Sequence, residues 1–320
     1  PATRGGAMNE QRMNEQRKDA LTVRGLEMRL PSGERRYAEL LPVVRGLDLT
    51  VPVGQVTAMV GANGAGKTTT LRAVTGALPF TAGTVEVLGT RIGPARTRPP
   101  RGMASLPDIS AHPPRWTSQH LARLRRETIP GFDAARFDEL LTAFRVPHGR
   151  ELRRLSRGQA TQLGLAAALA QDPQLLILDE PFAHLDPLAR TDLVDVLRDY
   201  MTRHDRTLLL ATHDLDGMER FADHLVVLAQ GVDVLSGDVE SLCEEFLLCE
   251  LERSEAAQDA EHSLVGATTT GTGTRALISV DDAVGLPTTA SLRRPAVSEI
   301  VTHLLRAART SAATPRRTAR

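Results

Sequence analysis

The chain has 320 residues, which is enough for one large domain or two modest ones. Lys plus Arg number 39 and Asp plus Glu also number 39, so no global positive field favours nucleic acid as a partner. The composition, 41% hydrophobic and 24% charged, is typical of globular proteins, and no apolar run approaches the ~18–20 residues of a membrane span.

The first part of the chain predicts a leader, two extended segments and a strand that runs into a helix. Residues 1–20 are polar and predict a disordered leader. Alternating apolar residues over 21–30 predict a strand, and a second extended stretch runs through 47–51. The short β-branched segment 55–60 predicts a buried strand, and the apolar period then becomes helical over 67–78.

The segment between this strand and this helix has the form G-x-x-x-x-G-K-[ST]. Its glycines let backbone N–H groups approach phosphate oxygens, and the helix directs its positive end at the same place. Lys67 can reach the β- and γ-phosphates, while Thr68 offers a hydroxyl ligand to Mg²⁺. We therefore predict binding of ATP or a closely similar nucleotide with Mg²⁺. The residues of this glycine loop are Gly61, Ala62, Asn63, Gly64, Ala65, Gly66, Lys67, Thr68 and Thr69.

The middle of the chain alternates between helical and strand patterns. Residues 94–115 are rich in Pro and Arg and predict a surface loop. Helical patterns follow at about 117–127, 134–145 and 157–171. Residues 175–178 and 208–211 predict buried parallel strands, and a hairpin is expected over 225–235 with its turn at Gln230-Gly231.

Two carboxylates, Asp179 and Glu180, end the strand predicted over 175–178. Uncompensated charge at the end of a buried strand is costly, but this is the edge at which parallel sheets bind ligands. With the glycine loop present, Asp179 can hold Mg²⁺ directly or through water. Glu180 can orient and deprotonate the attacking water, so ATP hydrolysis is predicted.

Over roughly residues 21–240 the sequence closely resembles the ATP-binding cassette (ABC) family. A segment shortly before the Asp-Glu strand resembles the family's signature motif: Leu155, Ser156, Arg157, Gly158 and Gln159. In the family, the helix that begins here presents Ser and Gly to the γ-phosphate of an ATP held by the other subunit. Independently, Ser156 and Gln159 fit a capping box, S-x-x-Q, that opens the helix 157–171.

Two further segments support the resemblance. His184-Leu185-Asp186 resembles the loop that crosses the dimer interface, which assigns Asp186 to that loop. His213, just after the strand 208–211, resembles the switch histidine that contacts the γ-phosphate. The resemblance thus implies that Lys67, Glu180 and His213 form the catalytic set.

Two positions depart from the family pattern. The family usually has Gln at the end of the strand that enters the helical block, where this sequence has Asp108. A carboxylate there adds negative charge beside the triphosphate, so altered coupling or slower hydrolysis is expected. Tyr37 is the candidate for stacking on adenine, although Leu30 stands where the aromatic residue often falls.

Beyond about residue 241 the character of the sequence changes. Residues 246–251 and 276–280 predict strands, and 297–308 predict an amphipathic helix. The Thr/Gly-rich run 266–274 predicts a flexible connector. A single cassette followed by an extra domain resembles the ATPase subunits of bacterial exporters.

The expected fold is α/β, a P-loop nucleoside triphosphatase of the ABC type. It has a mixed-sheet core, an inserted helical subdomain and a small C-terminal α+β extension. The expected divisions are a leader (1–20), an ATPase domain (21–240) with its helical subdomain at about 103–160, and an accessory domain (241–320) with a basic tail.

The resemblance implies a head-to-tail homodimer or heterodimer of ATPase subunits that holds two ATP molecules and Mg²⁺. Such a dimer would drive a separate integral-membrane permease from the cytoplasmic face of the cell membrane, with export expected and no nucleic acid as partner. Two alternatives stay open: a soluble ABC ATPase acting on the ribosome or DNA, and a nucleotide-dependent regulatory subunit with weak hydrolysis. Trp116 belongs either to the docking surface for the permease or to the core of the helical block.

Overall fold

The computed structural model describes residues 19–31, 39–94, 100–106, 111–213, 221–252, 264–269, 273–286 and 289–310. The strands are β1 (Asp19–Pro31), β2 (Leu40–Pro52), β3 (Val56–Gly61), β4 (Ala82–Val87), β5 (Thr90–Ile92), β6 (Met103–Ser105), β7 (Leu175–Asp179), β8 (Thr207–Thr212), β9 (His224–Ala229), β10 (Val232–Asp238), β11 (Phe246–Glu252), β12 (Val265–Thr269), β13 (Gly273–Ser279) and β14 (Ser291–Arg293). The helices are α1 (Lys67–Val74), α2 (Ser118–Thr128), α3 (Ala134–Ala143), α4 (Arg157–Leu169), α5 (Pro187–Met201), α6 (Val239–Glu245) and α7 (Val297–Thr310).

A six-stranded sheet with the order β10-β9-β3-β8-β7-β6 forms the centre of the molecule. Five of its strands run parallel, and β10 pairs antiparallel with β9 at one edge. Every residue of β3 and β8 is buried because both faces of the sheet are covered, which explains why these segments are short apolar runs. The predicted mixed sheet is confirmed.

Two buried clusters cover the two faces of this sheet. β3 contributes to both because successive side chains of a strand point to opposite faces. Val56, Ala58 and Val60 belong to the larger cluster, which includes the helical block, whereas Met59 belongs to the second cluster. α1 and a separate antiparallel sheet, β2-β1-β4-β5, enclose the second cluster. The central sheet is therefore a middle layer with a packed core on each side.

The helices α2, α3 and α4 form the helical block on the larger cluster. Leu121 of α2 and Phe137 of α3 are fully buried there beside Leu163 of α4. α4 is enclosed on all sides from Gln162 onward, so that half of the helix is apolar all round. Ser156 and Arg157 at its start are exposed and the next three residues are half-buried, which leaves the signature segment at the surface.

Strands β11–β14 and helix α7, called here the C-terminal unit, form an antiparallel sheet in the order β12-β13-β11-β14 with one helix against it. α7 also packs on β9 of the central sheet. Ile300 and Val301 of α7 belong to the same buried cluster as Leu225 and Val227 of β9. One side of the C-terminal unit thus shares the core of the ATPase fold, while Cys249, Ala276 and Ile278 form a small separate cluster.

One sequence prediction in the C-terminal unit is wrong. The Thr/Gly run 266–274, predicted as a flexible connector, contains most of β12 and the start of β13. Thr268 pairs with Arg275 and Thr269 with Thr274. The β-branched threonines fit a pleated strand, which outweighs the flexibility that the glycines suggest.

Two predictions in the first half of the chain also need correction, one at strand β6 and one at the end of helix α1. Within the surface loop predicted over 94–115, Met103 and Ala104 are buried and pair in parallel with Leu175 and Leu176 of β7. The surrounding Pro and Arg residues conceal this short strand. The helix predicted as far as 78 ends at Val74, because Gly76 adopts a left-handed backbone (φ 73°) that closes the last turn.

Candidate functional site

The predicted site residues converge because the parallel strands end at the same level. The register pairs Val60 of β3 with Thr212 of β8, and Ala211 of β8 with Asp179 of β7. The glycine loop follows β3, Glu180 follows β7 and His213 follows β8. Three segments far apart in the sequence therefore leave the sheet side by side, at its ligand-binding edge.

The glycine loop leaves β3 in a conformation that excludes side chains at two of its glycines. A Cβ on Gly61 would lie 2.5 Å from the carbonyl oxygen of Leu228. Gly66 is the N-cap of α1 and has φ 105°, a backbone region that favours glycine. α1 then begins at Lys67, so the free N–H groups of its first turn lie next to the loop.

Lys67 is 5% exposed, yet its ammonium group is paired. Nζ donates to the carbonyl oxygen of Gly61 at 2.6 Å and lies 3.3 Å from Oε1 of Glu180. An unpaired ammonium at this depth would be strongly unfavourable, and these two contacts supply its partners. They fix a positive charge beside the glycine loop.

Glu180 links Lys67 to the end of β8. Its Oε2 lies 2.8 Å from Nδ1 of His213 and accepts a hydrogen bond from the Thr212 hydroxyl at 3.4 Å. Its backbone has φ 48°, a left-handed conformation that costs a non-glycine residue about 1 kcal/mol. Strain of this kind concentrates at functional sites, and here it aims the carboxylate between a lysine and a histidine.

Asp179 has the donor set of a magnesium ligand. Burial raises the pKa of its carboxyl group, and a hydrogen bond with the Thr68 side chain acts in the opposite direction. Its Oδ1 is buried and has no hydrogen-bond partner among the described residues. A carboxylate oxygen left without a partner beside a threonine hydroxyl suits a hard cation such as Mg²⁺, so the residues present fit this ion.

The signature segment begins α4 through the predicted capping box, which is confirmed. The Ser156 hydroxyl accepts from the Gln159 N–H at 3.1 Å, and the Gln159 side chain accepts from the Ser156 N–H at 3.1 Å. Leu155 packs on the larger cluster, while Ser156 and Arg157 are exposed. The cap therefore fixes the helix start and leaves its N-terminal face open to solvent.

The loop after β7 packs directly against this helix start. A Cβ on Gly158 would lie 2.9 Å from the carbonyl oxygen of His184, so only glycine fits there. Asp186 is the N-cap of α5, and its carboxylate accepts from the Ala189 N–H at 2.8 Å. The two segments that the sequence assigns to a dimer interface are thus one surface within each chain.

Two clefts lie on either side of His184. One, of about 240 Å³, is lined by Gly158 and Asp186 among others. The other, of about 250 Å³, is lined by Glu180 and His213. The glycine loop lines neither of these two clefts. Within one chain the signature segment therefore opens into a different cleft from the one beside Glu180.

Four further positions bear on the site: two that the sequence predicts and two that it does not. Tyr37 and Asp108 lie outside the described residues. Thr212, whose hydroxyl reaches Glu180, belongs to no motif in the sequence, and the sequence indicates Gly231 only as a turn residue. Gly231 donates its N–H to the carbonyl oxygen of Ala65 in the glycine loop at 3.0 Å, a contact without any local sequence signal.

The comparisons with known proteins agree with this geometry. The sequence profile of the ABC transporter family matches residues 44–183. The chain is 34% identical over 224 residues to the Nod factor export ATP-binding protein I of Burkholderia orbicola, which covers 68% of this chain and 73% of that protein. The chain belongs to the ABC transporter family. It is an ATP-binding subunit of this type and an ABC ATPase.

Other relatives of this ABC ATPase differ in the direction of transport that their names state. The nickel import ATP-binding protein NikO of Rhodobacter capsulatus is 35% identical over 219 residues, covering 62% of this chain and 84% of that protein. A solved ATP-binding subunit of an ABC transporter gives a TM-score of 0.58 at 27% identity, covering 70% of this chain and 91% of that one. A dimeric cassette bound to ADP and Pi shares the fold, with a TM-score of 0.58 at 17% identity and coverage of 68% and 98%.

Proposed function

We propose that this ABC ATPase hydrolyses ATP as a head-to-tail dimer and thereby drives a separate membrane permease, in the direction of export. The observation that carries the proposal is the group formed by Lys67, Glu180 and His213 at the ends of β3, β7 and β8. A cation for the phosphates and a carboxylate held by an imidazole are what hydrolysis of a phosphoanhydride requires. A nucleotide-dependent regulatory subunit would not need this arrangement.

Each residue of the group has a separate role in the proposed reaction. Lys67 and the glycine loop bind the β- and γ-phosphates and neutralise their charge. Glu180 orients the attacking water and accepts its proton, and His213 positions the Glu180 carboxylate. Thr68 and Asp179 would hold Mg²⁺, which would supply positive charge to stabilise the negative charge that develops on the phosphates.

The second half of each site is proposed to come from another subunit. The start of α4 carries Ser156, Gly158 and the positive end of the helix dipole, but within one chain it opens into a cleft away from Glu180. A second chain placed head to tail would bring this start against the γ-phosphate, with Asp186 at the interface. Removal of the γ-phosphate would then release the dimer, and this opening is the motion passed to the permease.

The partner and location follow from the same proposal. No helix among the described residues is long and apolar enough to cross a membrane. We place the chain at the cytoplasmic face of the cell membrane, bound to a permease through the helical block. Trp116 is half-buried there and stacks between His112 and His120, at ring distances of 5.8 and 6.0 Å. The nucleotide would be ATP with Mg²⁺.

Trapping of the dimer tests the proposal. Glu180→Gln keeps the size of the side chain but removes the base, so MgATP should convert the protein from monomer to dimer without turnover. Size-exclusion chromatography with light scattering measures the dimer, and phosphate release measures turnover. Lys67→Ala in the same background should prevent the dimer. A monomer at saturating MgATP, or undiminished phosphate release by Glu180→Gln, contradicts the proposal.

A further inference from the structure

The turn between β9 and β10 holds the glycine loop in place. Gly231 donates its N–H to the carbonyl oxygen of Ala65 at 3.0 Å, and its own carbonyl oxygen accepts from the Arg45 N–H of β2 at 2.8 Å. A Cβ on Gly231 would lie 2.3 Å from the carbonyl oxygen of Val43, and its φ is 83°. The backbone of this turn therefore packs between β2 and the glycine loop. A shift of the turn would displace the backbone of Ala65 as well.

The same turn is bound on its other side by the C-terminal unit. The Gln230 side-chain amide Nε2 donates to the carbonyl oxygen of Ala308, in the last turn of α7, at 2.9 Å. The last four carbonyls of a helix have no partner within the helix, so this amide satisfies one of them. Gln230 itself has φ 50°, an unfavourable conformation for a non-glycine residue. The hydrogen bond from Gln230 to Ala308 thus joins the C-terminal end of α7 to a turn with a strained backbone.

α7 is firmly attached to the rest of the C-terminal unit. His303 is 3% exposed, and its Nδ1 lies 2.7 Å from the carbonyl oxygen of Gly266 in β12. Gly266 packs so closely that a Cβ would lie 1.9 Å from the His303 carbonyl oxygen. Movement of this small sheet would carry α7 with it, and Ala308 would move relative to the turn.

We infer that Gln230 is a positioning residue through which the C-terminal unit sets the nucleotide affinity of the glycine loop. The connection runs from α7 through the Gln230 amide to the turn, and from Gly231 to Ala65. It rests on the proposed function, because it assumes that the glycine loop is the nucleotide site. A tie that preorganises the loop lowers the cost of ordering it when nucleotide binds. Coupling of this kind is reciprocal, so nucleotide must also stabilise the end of α7.

The test measures both directions of the coupling in the full chain. Gln230→Asn shortens the side chain by one methylene, which breaks the contact with Ala308, and asparagine tolerates a positive φ well. Its MgADP affinity, measured by calorimetry, should fall about two- to tenfold, the effect of one hydrogen bond. In the wild type, MgADP should slow amide hydrogen exchange over residues 306–310. In Gln230→Asn this protection should disappear.

Two matched variants and one functional control complete the experiment. Gln171→Asn removes a similar bond, from Gln171 Nε2 to the Ala167 carbonyl oxygen at 2.9 Å, at the end of α4, and should leave MgADP affinity unchanged. Gln230→Lys keeps a donor for the helix end and should restore the wild-type values. If Lys67→Ala binds MgADP as well as the wild type, the proposed nucleotide site is wrong. If binding depends on Lys67 but Gln230→Asn keeps both the affinity and the protection at 306–310, the coupling through Gln230 is wrong.

Discussion

At the scale of single residues, the site owes its geometry to charges that hold one another in place. The Glu180 carboxylate reaches Lys67 with one oxygen and His213 with the other. The left-handed backbone at Glu180 is compensated by these contacts and by its N–H donating to the Ala211 carbonyl oxygen at 2.8 Å. Asp179 is the exception, because its buried Oδ1 lacks a partner among the described residues.

This unsatisfied oxygen gives the first prediction. Asp179→Asn removes a desolvated charge and keeps an oxygen for the Thr68 hydroxyl. In the absence of nucleotide and Mg²⁺ it should raise the free energy of unfolding by about 1–3 kcal/mol, because a buried charge that lacks a partner costs more than a buried neutral amide. The same variant should lose the Mg²⁺-dependent part of ATP affinity. Urea unfolding without Mg²⁺, and calorimetry of ATP with and without it, measure the two effects. A loss of stability would mean that the carboxylate is satisfied in another way.

At the scale of elements, α4 and α7 both depend on how their first turns are capped. α4 uses the reciprocal Ser156–Gln159 box. α7 uses Glu299, whose Oε2 accepts from the Ala296 N–H at 2.9 Å while the carboxylate also pairs with Arg293 of β14 at 2.5 and 2.8 Å. The first cap lies at a proposed ligand contact and the second lies inside the C-terminal unit, so their substitutions separate function from stability.

The cap of α4 gives the second prediction. Ser156→Asp keeps a good N-cap and a favourable charge for the helix dipole, so the melting temperature should stay within about 2 °C of wild type. In the Glu180→Gln background it should abolish the ATP-dependent dimer, because its carboxylate would face the γ-phosphate of the other subunit. Asp133→Ser, the reverse exchange at the N-cap of α3, should retain the dimer. A dimer that survives Ser156→Asp contradicts the placement of this helix start at the nucleotide.

The cap of α7 gives the third prediction, which concerns pH. The hydrogen bond from Arg293 holds the pKa of Glu299 below its usual range. A carboxyl group with a lowered pKa adds stability at pH values above its unfolded pKa of about 4.3, and this contribution is lost as pH falls through the lower folded value. Glu299→Gln should therefore lower the unfolding free energy by about 1 kcal/mol at pH 7 and by progressively less below pH 4.

Denaturant unfolding at several pH values measures this difference. Glu127→Gln is the matched control, because Glu127 forms an exposed ion pair with Arg123 at 3.2 Å on α2. Surface pairs of this kind contribute about 0–1 kcal/mol. An effect of Glu299→Gln that stays the same from pH 7 down to about pH 3 would show that the lost packing, and not the charge, is responsible.

At the scale of the whole molecule, the C-terminal unit and the ATPase fold share a core. Ile300 is fully buried in the cluster that also contains Val227 of the central sheet and Leu163 of the helical block. A separate accessory domain from about residue 241 remains a prediction from composition. The shared core leads us to expect that the two parts unfold together, because neither can lose the interface without exposing apolar surface.

This gives the fourth prediction. Ile300→Ala should lower the unfolding free energy by about 2–5 kcal/mol. Trp116, the only tryptophan, lies in the helical block and packs on the larger cluster, so its fluorescence reports on the ATPase fold. The fluorescence transition of Trp116 should shift together with the circular dichroism transition. Val284→Ala, at a position that is 90% exposed, should change neither. If the fluorescence transition of Trp116 does not shift in Ile300→Ala, the two parts are independent folding units.

The sequence predicts those parts of this ABC ATPase that rest on local order. The glycine loop between a strand and a helix, the carboxylates that end β7 and the histidine after β8 are each readable from neighbouring residues. Their order along the chain then places them on one edge of a parallel sheet. Errors arose where local composition misleads. The buried pair Met103 and Ala104 stands among Pro and Arg residues, and the Thr/Gly run forms β12.

What the sequence by itself determined is the set of groups that we propose to carry the chemistry, because motifs of this kind are contiguous and their residue types suit phosphate and magnesium. The tertiary structure alone decided how those groups are held. It brings Gly158 against the His184 carbonyl, Gly231 against Ala65 and Gln230 against the end of α7. Each of these contacts ends on the backbone carbonyl of a residue far away in the chain, and since every residue has such a carbonyl, the sequence does not indicate which one is the partner.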